Sequence, residues 1–298
     1  MRMIRSWVLV FLTILCLGTI STQSTIAQDP DASDDITPIP HGDVLDILFN
    51  FNGQADVKCV LPCLYEIRPE QTTLSEIQTI FTTLFEGDKK ILAQFDRPVE
   101  LNEEQRGYSL INIGTEGSFT LGFIVSLKNE ILQRFHTSLL HPGEWLGSSN
   151  VNLSTVLATL GQPDEVYLSI VASEPPQFGI VLTYKTLGTV FSYVYPIEPK
   201  HLTQNDEPIV LCGRWSMTYS VDVWIQAVDD NAYETLLDEN FRVEQKPGTD
   251  GIVYRAYWPL ERMTKWNTKD ITQFLIDNSE WCFDAYSYNE LLKSGYSY

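Results

Sequence analysis

Between Phe119 and Leu127 every second residue is large and apolar (Phe119, Leu121, Phe123, Val125, Leu127). Ser118, Thr120, Gly122 and Ser126 take the intervening positions, and only Ile124 departs from the alternation. A period of two predicts a strand with one buried face and one largely wet face, the habit of antiparallel sheets. Thr115-Glu116-Gly117 before it and Lys128-Asn129-Glu130 after it read as turns, so Tyr108 to Ser138 predicts three consecutive strands. Ahead of this region the period is helical. Leu74, Ile77, Ile80, Phe81 and Leu84 fall on one helix face, with Thr73 placed as N-cap, Glu76 as its reciprocal partner and Gly87 as the stop.

The same order then returns. Leu153, Val156, Leu157 and Leu160 predict a shorter amphipathic helix ended by Gly161-Gln162-Pro163. Three strands follow, Val166 to Ser173, Phe178 to Lys185 and Val190 to Tyr195, separated by Glu174-Pro175-Pro176 and Leu187-Gly188 turns. The expected fold class is therefore α+β, with two helix-plus-antiparallel-meander units in tandem over residues 42–140 and 141–200. A C-terminal α+β segment, residues 201–298, carries strand-like runs at Ile209 to Cys212, Met217 to Gln226 and Ile252 to Trp258. It also carries helical patterns near Tyr233 to Leu237 and Thr268 to Asn278.

Leu157-Ala158-Thr159-Leu160-Gly161-Gln162-Pro163-Asp164, with Val166 and Tyr167 opening a strand, resembles the helix-end motif of the small outer-membrane assembly lipoproteins of the BamE (SmpA/OmlA) family. The beta-lactamase inhibitory proteins are the tandem relatives of that family. The resemblance implies helices packed on one face of a small antiparallel sheet, and in the tandem form two sheets joined into a concave surface that grips a partner protein. The first unit is similar in Thr72-Thr73 before its helix, but carries Glu70 where the family tends to glycine and has no proline after Gly87. Leu61-Pro62-Cys63 followed by Pro69 and Thr72-Thr73 is also similar to a group of exported bacterial proteins, a likeness that implies export and no particular activity.

The N-terminus sets the compartment. Arg2 and Arg5 precede an apolar run from Trp7 to Ile20 that is too short to span a bilayer as a helix, and Thr25-Ile26-Ala27 suits a small-x-small cleavage site. Residues 1–27 read as a signal peptide, with a retained anchor as the alternative and membrane contact expected only through this segment if it is uncleaved. Residues 28–41 are acidic and proline-bearing, an extended tether, and Val44 to Phe51 predicts one or two helical turns. The whole chain has 20 Lys+Arg against 39 Asp+Glu, net −19. Such a surface repels phosphate backbones and anionic headgroups, which makes nucleic acid an unsuitable partner.

Setting aside Cys16 in the signal leaves Cys59, Cys63, Cys212 and Cys282, an even number that allows three pairings in an oxidising compartment. Cys59 with Cys63 and Cys212 with Cys282 is the favoured set. The alternatives for Cys59 and Cys63 are a thiol redox centre, which prefers the tighter C-x-x-C spacing, and half a zinc site, for which His41, His136, His141 and His201 offer no paired spacing. His136 and His141 flank Thr137 to Leu140 and precede Pro142-Gly143; they read as a solvated loop, with a ligand pair as the lesser alternative. Asp229-Asp230-Asn231 has oxygens that suit calcium without the spacing of a twelve-residue loop. No cofactor is implied and no metal site is assigned.

No nucleophile elbow, phosphate-binding glycine loop, dinucleotide fingerprint or His-Glu-x-x-His helix is present in the sequence. With so many carboxylates, any one acid pair is uninformative, so a hydrolase remains only as a reading whose site the sequence does not mark. The candidate binding constellation is aromatic. Phe191, Tyr193 and Tyr195 share a strand face, Tyr184 on the adjacent strand joins them, and Trp145 and Tyr167 lie in neighbouring segments. The plainer reading, which comes first, is that these residues cover the core or the junction between the repeats. The function expected is that of an exported, non-enzymatic module that binds another protein of the envelope or exterior, or a structural element of the envelope. The alternative is an extracytoplasmic binder of a small ligand or glycan.

Overall fold

In the computed structural model the alternating segments become strands β1 (Val99–Asn102), β2 (Gln105–Gly114), β3 (Gly117–Lys128) and β4 (Ile131–Leu140). The structure describes residues 67–84, 99–102, 105–114, 117–140, 151–171, 175–198, 206–241 and 257–293, all within one unit spanning Pro38–Tyr298. The signal, the tether, Val44 to Phe51, Cys59, Cys63, Gly87, Trp145, His41, His141 and His201 lie outside the described residues. Between β3 and β4 the chain reverses through Asn129 and Glu130 with φ of 52° and 62°. Two central residues at positive φ are the hairpin geometry whose twist matches that of the flanking strands.

Helix α1 (Leu74–Leu84) starts on the capping box read from the sequence. The Thr73 amide and hydroxyl donate to Glu76 Oε2 at 2.7 and 2.8 Å, which holds the Glu76 carboxyl below its ordinary range, and the Glu76 amide donates in return to Thr73 Oγ1 at 3.3 Å. Glu70 has φ 63°, the left-handed region that favours glycine. Helix α2 (Leu153–Leu160) is capped by the Asn152 side chain, which accepts from the Ser154 amide at 3.0 Å. It stops at Gly161 with φ 80°, whose amide donates to the Leu157 carbonyl at 2.9 Å. Strands β5 (Glu165–Val171), β6 (Gln177–Tyr184) and β7 (Thr189–Pro196) follow within two residues of their expected bounds.

The C-terminal segment supplies β8 (Pro208–Arg214), β9 (Ser220–Gln226), α3 (Asp230–Asn240), β10 (Trp258–Pro259), α4 (Leu260–Met263), α5 (Thr268–Asp277), β11 (Glu280–Ser287) and α6 (Tyr288–Lys293). Among the described residues the sheet order is β1-β2-β3-β4-β9-β7-β6-β5-β10, with β8 and β11 forming a second, two-stranded sheet. Every pairing among the described strands is antiparallel. The fold is α+β, and both meanders belong to one sheet with β9 between them, bonded to β4 on one side and β7 on the other.

One face of the large sheet carries the main core. Phe123, Phe135, Val223, Phe191 and Leu182 pack there with Ile77 of α1, Leu153 and Leu157 of α2, Ile271 and Leu275 of α5, and Leu211 and Phe283 of the small sheet. On the other face Tyr167, Val181, Val190 and Trp224 meet Tyr233, Leu236 and Leu237 of α3. The middle strands are thus covered twice, and β6 is buried at every position but its first. A strand covered on both faces loses the alternation that marks a half-wet strand. Toward β3 and β4 the alternation survives: Phe123, Val125 and Leu127 are buried while Gly122, Ile124 and Ser126 are half-buried.

Candidate binding site

Strands β8 and β11 pair in a register that sets Cys212 opposite Cys282, Gly213 opposite Trp281 and Arg214 opposite Glu280. Alternation decides what each residue does. Ile209, Leu211, Trp281, Phe283 and Ala285 turn into the core, while Glu280, Cys282 and Asp284 are exposed on the outer face. The two cysteines on that outer face form a disulfide, with Cα atoms 4.1 Å apart across the pair. The pairing of Cys212 with Cys282 expected from the sequence is therefore present.

Gly213 is required by the indole opposite it. A β-carbon there would lie 2.8 Å from Cε2 of Trp281 and closer still to Cζ2 and Cη2. The Trp281 indole lies directly against the glycine and is walled in by other rings. It meets Tyr195 edge-on at 5.4 Å and Phe178 edge-on at 6.0 Å, and stacks with Phe283 at 5.5 Å. Burial pushes the Tyr195 hydroxyl well above its usual range, with the Thr218 hydroxyl beside it pulling the other way.

Beside this cluster a cavity of about 440 Å³ opens between the end of β7 and the small sheet. Pro196, Ile197 and Glu198 form one wall. Val210, Cys212, Gly213 and Arg214 of β8 form the other, and Met217, Trp281, Cys282 and Glu280 complete it. Its floor is apolar and aromatic and its rim is charged. Arg214 Nη1 stands 4.0 Å from Glu280 Oε1, and both side chains are more than half exposed, so their attraction is screened and leaves both able to meet a partner. Glu198 adds a second rim carboxylate.

The expected aromatic face is corrected by the structure. Phe191, Tyr193 and Tyr195 do share a face, and Tyr184 joins them edge-on to Phe191 at 6.1 Å, but all four are at most 3% exposed. Helices and the small sheet cover this face, and the hydroxyls are used internally. Tyr193 donates to the Val151 carbonyl at 2.9 Å and Tyr184 to the Gly161 carbonyl at 3.0 Å, which pins α2 to the sheet. Tyr167 points to the opposite face and donates to Glu165 Oε2 at 2.6 Å. These rings build the core, and among them Tyr195 reaches the new site by backing Trp281.

His136 is not in a loop. It sits in β4 with Nε2 3.2 Å from Asp222 Oδ1 of β9, its ring stacked on Trp224 at 4.4 Å. Asp229 starts α3, its Oδ1 accepting the Asn231 amide at 3.3 Å, so the calcium-like oxygens cap a helix. Among the described residues no group of three or more His, Cys, Asp or Glu is arranged to hold a metal ion.

The cavity-lining residues beyond the two cysteines escaped the sequence reading. The available signal was Glu280 to Ser287, whose apolar positions 281, 283 and 285 alternate as a strand should, and whose Cys282 fixes the register once Cys212 is its partner. No family model, curated protein or solved structure matches this chain.

Proposed function

We propose that this chain is an exported, non-enzymatic interaction module that holds another protein of the envelope or exterior, and that the slot beside the Cys212–Cys282 bond is where it does so. The observation that carries the reading is the slot itself, about 440 Å³ with a buried indole wall and an exposed Arg214–Glu280 rim. A volume of this size lies within the range of roughly 300 to 1,000 Å³ usual for binding pockets. Among the described residues its lining is apolar and aromatic on the floor and charged at the rim, the chemistry of recognition.

Export is supported by the charged-then-apolar N-terminus and by a formed disulfide, which suits an oxidising extracytoplasmic setting. Among the described residues no helix is long and apolar enough to cross a membrane. The order α1 then β2, β3 and β4, followed by α2 then β5, β6 and β7, is in keeping with two helix-plus-meander units in tandem and with the partner-gripping role that the BamE-like resemblance implies.

A second reading, a small ligand or glycan as occupant, is favoured by the Trp281 wall, since a flat ring beside hydrogen-bonding groups suits a sugar face. The test is capture of partners from envelope and secreted fractions by the disulfide-intact protein, with Val210→Trp in parallel to fill the slot from its half-buried wall. A partner lost with Val210→Trp supports the slot as the site. A partner retained by a folded Val210→Trp places the site elsewhere. Stabilisation of the wild type, and not of Val210→Trp, by one member of a glycan panel would favour the second reading.

A further inference from the structure

We infer that the slot is a strand-addition site: an extended, cationic polypeptide segment lies against the outer edge of β8 as the third strand of the β8–β11 sheet. This rests on the reading of the slot as the binding site.

The backbone geometry carries the argument. Directly opposed residues in an antiparallel pair are about 5.5 Å apart when they exchange hydrogen bonds and about 4.5 Å apart when they do not. Cys212 and Cys282 are 4.1 Å apart, so theirs is the second kind, and the N–H and C=O of Cys212 turn away from β11. Residues two positions away behave alike, which places the backbone groups of Val210, Cys212 and Arg214 on the edge that β11 does not use. All three line the slot, together with Gly213 between them. Among the described residues no strand or backbone group pairs with that edge.

From Val210 to Arg214 the edge runs about 13 Å at 3.3 Å per residue, long enough for a short ladder. An unpaired edge elsewhere is a hazard that proteins cover or charge. Here the edge is held rigid by a disulfide across the pair and fronted by open volume in place of packed side chains. A preformed, fixed edge lowers the ordering cost of the strand that joins it.

The faces of the sheet choose the occupant. A strand added to β8 continues the outer row that ends in Arg214 with Glu280 and Val210 with Asp284. Two of the three charged slot residues are carboxylates, and the chain as a whole is net −19. Side chains on that face of the incoming strand are therefore favoured as Lys or Arg. Side chains on its other face meet Trp281 and Met217 and are favoured as apolar. The same field opposes a second copy of this chain, and it opposes the chain's own acidic residues 29–40.

The probe is a hexapeptide alternating lysine and valine, added to the disulfide-intact protein and read by amide hydrogen exchange and indole fluorescence. On saturation, exchange at Val210, Cys212 and Arg214 slows by about tenfold or more while Ile209 and Leu211, already facing β11, are unchanged. Methylating alternate backbone nitrogens of the peptide in one register weakens binding roughly tenfold, methylation in the other register does not, and the glutamate–valine peptide is weaker by a similar factor.

Binding without protection of those three amides, or equal binding of both methylated registers, overturns strand addition and leaves the slot reading standing. Absence of peptide binding, with partner capture still abolished by Val210→Trp, overturns the cationic occupant alone. Protection of the same amides by self-association without peptide makes a second copy the occupant and overturns the proposal. Partner capture untouched by Val210→Trp sinks the slot reading and this inference together.

Discussion

Replacing Gly213 by alanine adds one carbon at the point where the structure has least room for it. The new Cβ would stand 2.8 Å or less from three atoms of the Trp281 indole, well inside contact distance. It is attached to a paired strand and does not swing away, so the indole must move. The indole is itself enclosed by Phe178, Tyr195 and Phe283, whose pairings are worth about 0.5 to 1.5 kcal/mol each beyond area burial. Overpacking of this kind costs roughly 1 to 3 kcal/mol by itself, and losing even one ring pairing adds about 1 kcal/mol. Against this, alanine in a strand is better than glycine by about 0.5 to 1 kcal/mol.

The unfavourable terms win, and Gly213→Ala is expected to lose about 2 to 3 kcal/mol. With a urea m-value of about 3 kcal/mol/M, the unfolding midpoint falls by a little under 1 M. Urea unfolding followed by circular dichroism and indole fluorescence reads both the stability and the displacement of the ring. The double variant Gly213→Ala/Trp281→Leu, in which the new methyl faces a smaller, flexible side chain, should show a favourable coupling of about 1 to 2 kcal/mol. If Gly213→Ala matches or exceeds the wild type, only the propensity gain is operating, and the packing of Trp281 on Gly213 is wrong.

Three further outcomes are expected. Removing the disulfide with Cys212→Ala/Cys282→Ala releases a closure of 70 residues and should lower stability by about 4 kcal/mol on chain-entropy grounds; a loss below about 1 kcal/mol would show that strand pairing alone constrains this segment. Glu70→Gly should be neutral or stabilising by up to about 1 kcal/mol in thermal unfolding, because φ 63° strains a residue with a β-carbon; a clear loss would mean that Glu70 is held for its side chain. Burial raises the pKa of Tyr184, Tyr193, Tyr195 and Tyr233, so these hydroxyls stay neutral in the folded protein while the unfolded chain ionises near pH 10. Their contribution is complete below that pH and is lost as pH rises above it, by about 1.4 kcal/mol per group at pH 11. Tyrosinate absorbance from these four should therefore appear together with loss of circular dichroism, and its appearance in a still-folded protein would contradict their burial.

What the chain determined locally is extensive, and the reason is that those signals act over a few residues. Thr73 with Glu76, Gly161 with Pro163, and the turn at Asn129-Glu130 each satisfy or redirect backbone groups within one turn of chain, and all three occur where the pattern placed them. The three strands around Phe123 and the three around Ile180 follow from the same short-range logic. Cys212 with Cys282 was one of the three pairings that parity allowed, and the structure forms it. The strand holding Cys282 was not read, although Trp281, Phe283 and Ala285 alternate, because three turns of strand beside a helix offer little periodicity to weigh.

Strand order and burial were decided only in three dimensions. Period two says that Phe191, Tyr193 and Tyr195 share a face, and it is silent on whether that face meets water or a second layer. The small sheet and α2 close over it because Trp281, Leu211 and Leu157 have apolar surface of their own to bury there. Likewise nothing local to Ser220–Gln226 states that β9 will part the two meanders, since its pairings with β4 and β7 join residues far apart in the chain. The slot is the product of both effects. Its walls come from residues 196–198, 210–217 and 280–282, and it exists because β7 pairs with β6 and β9, so that among the described residues one edge of β8 has no strand beside it.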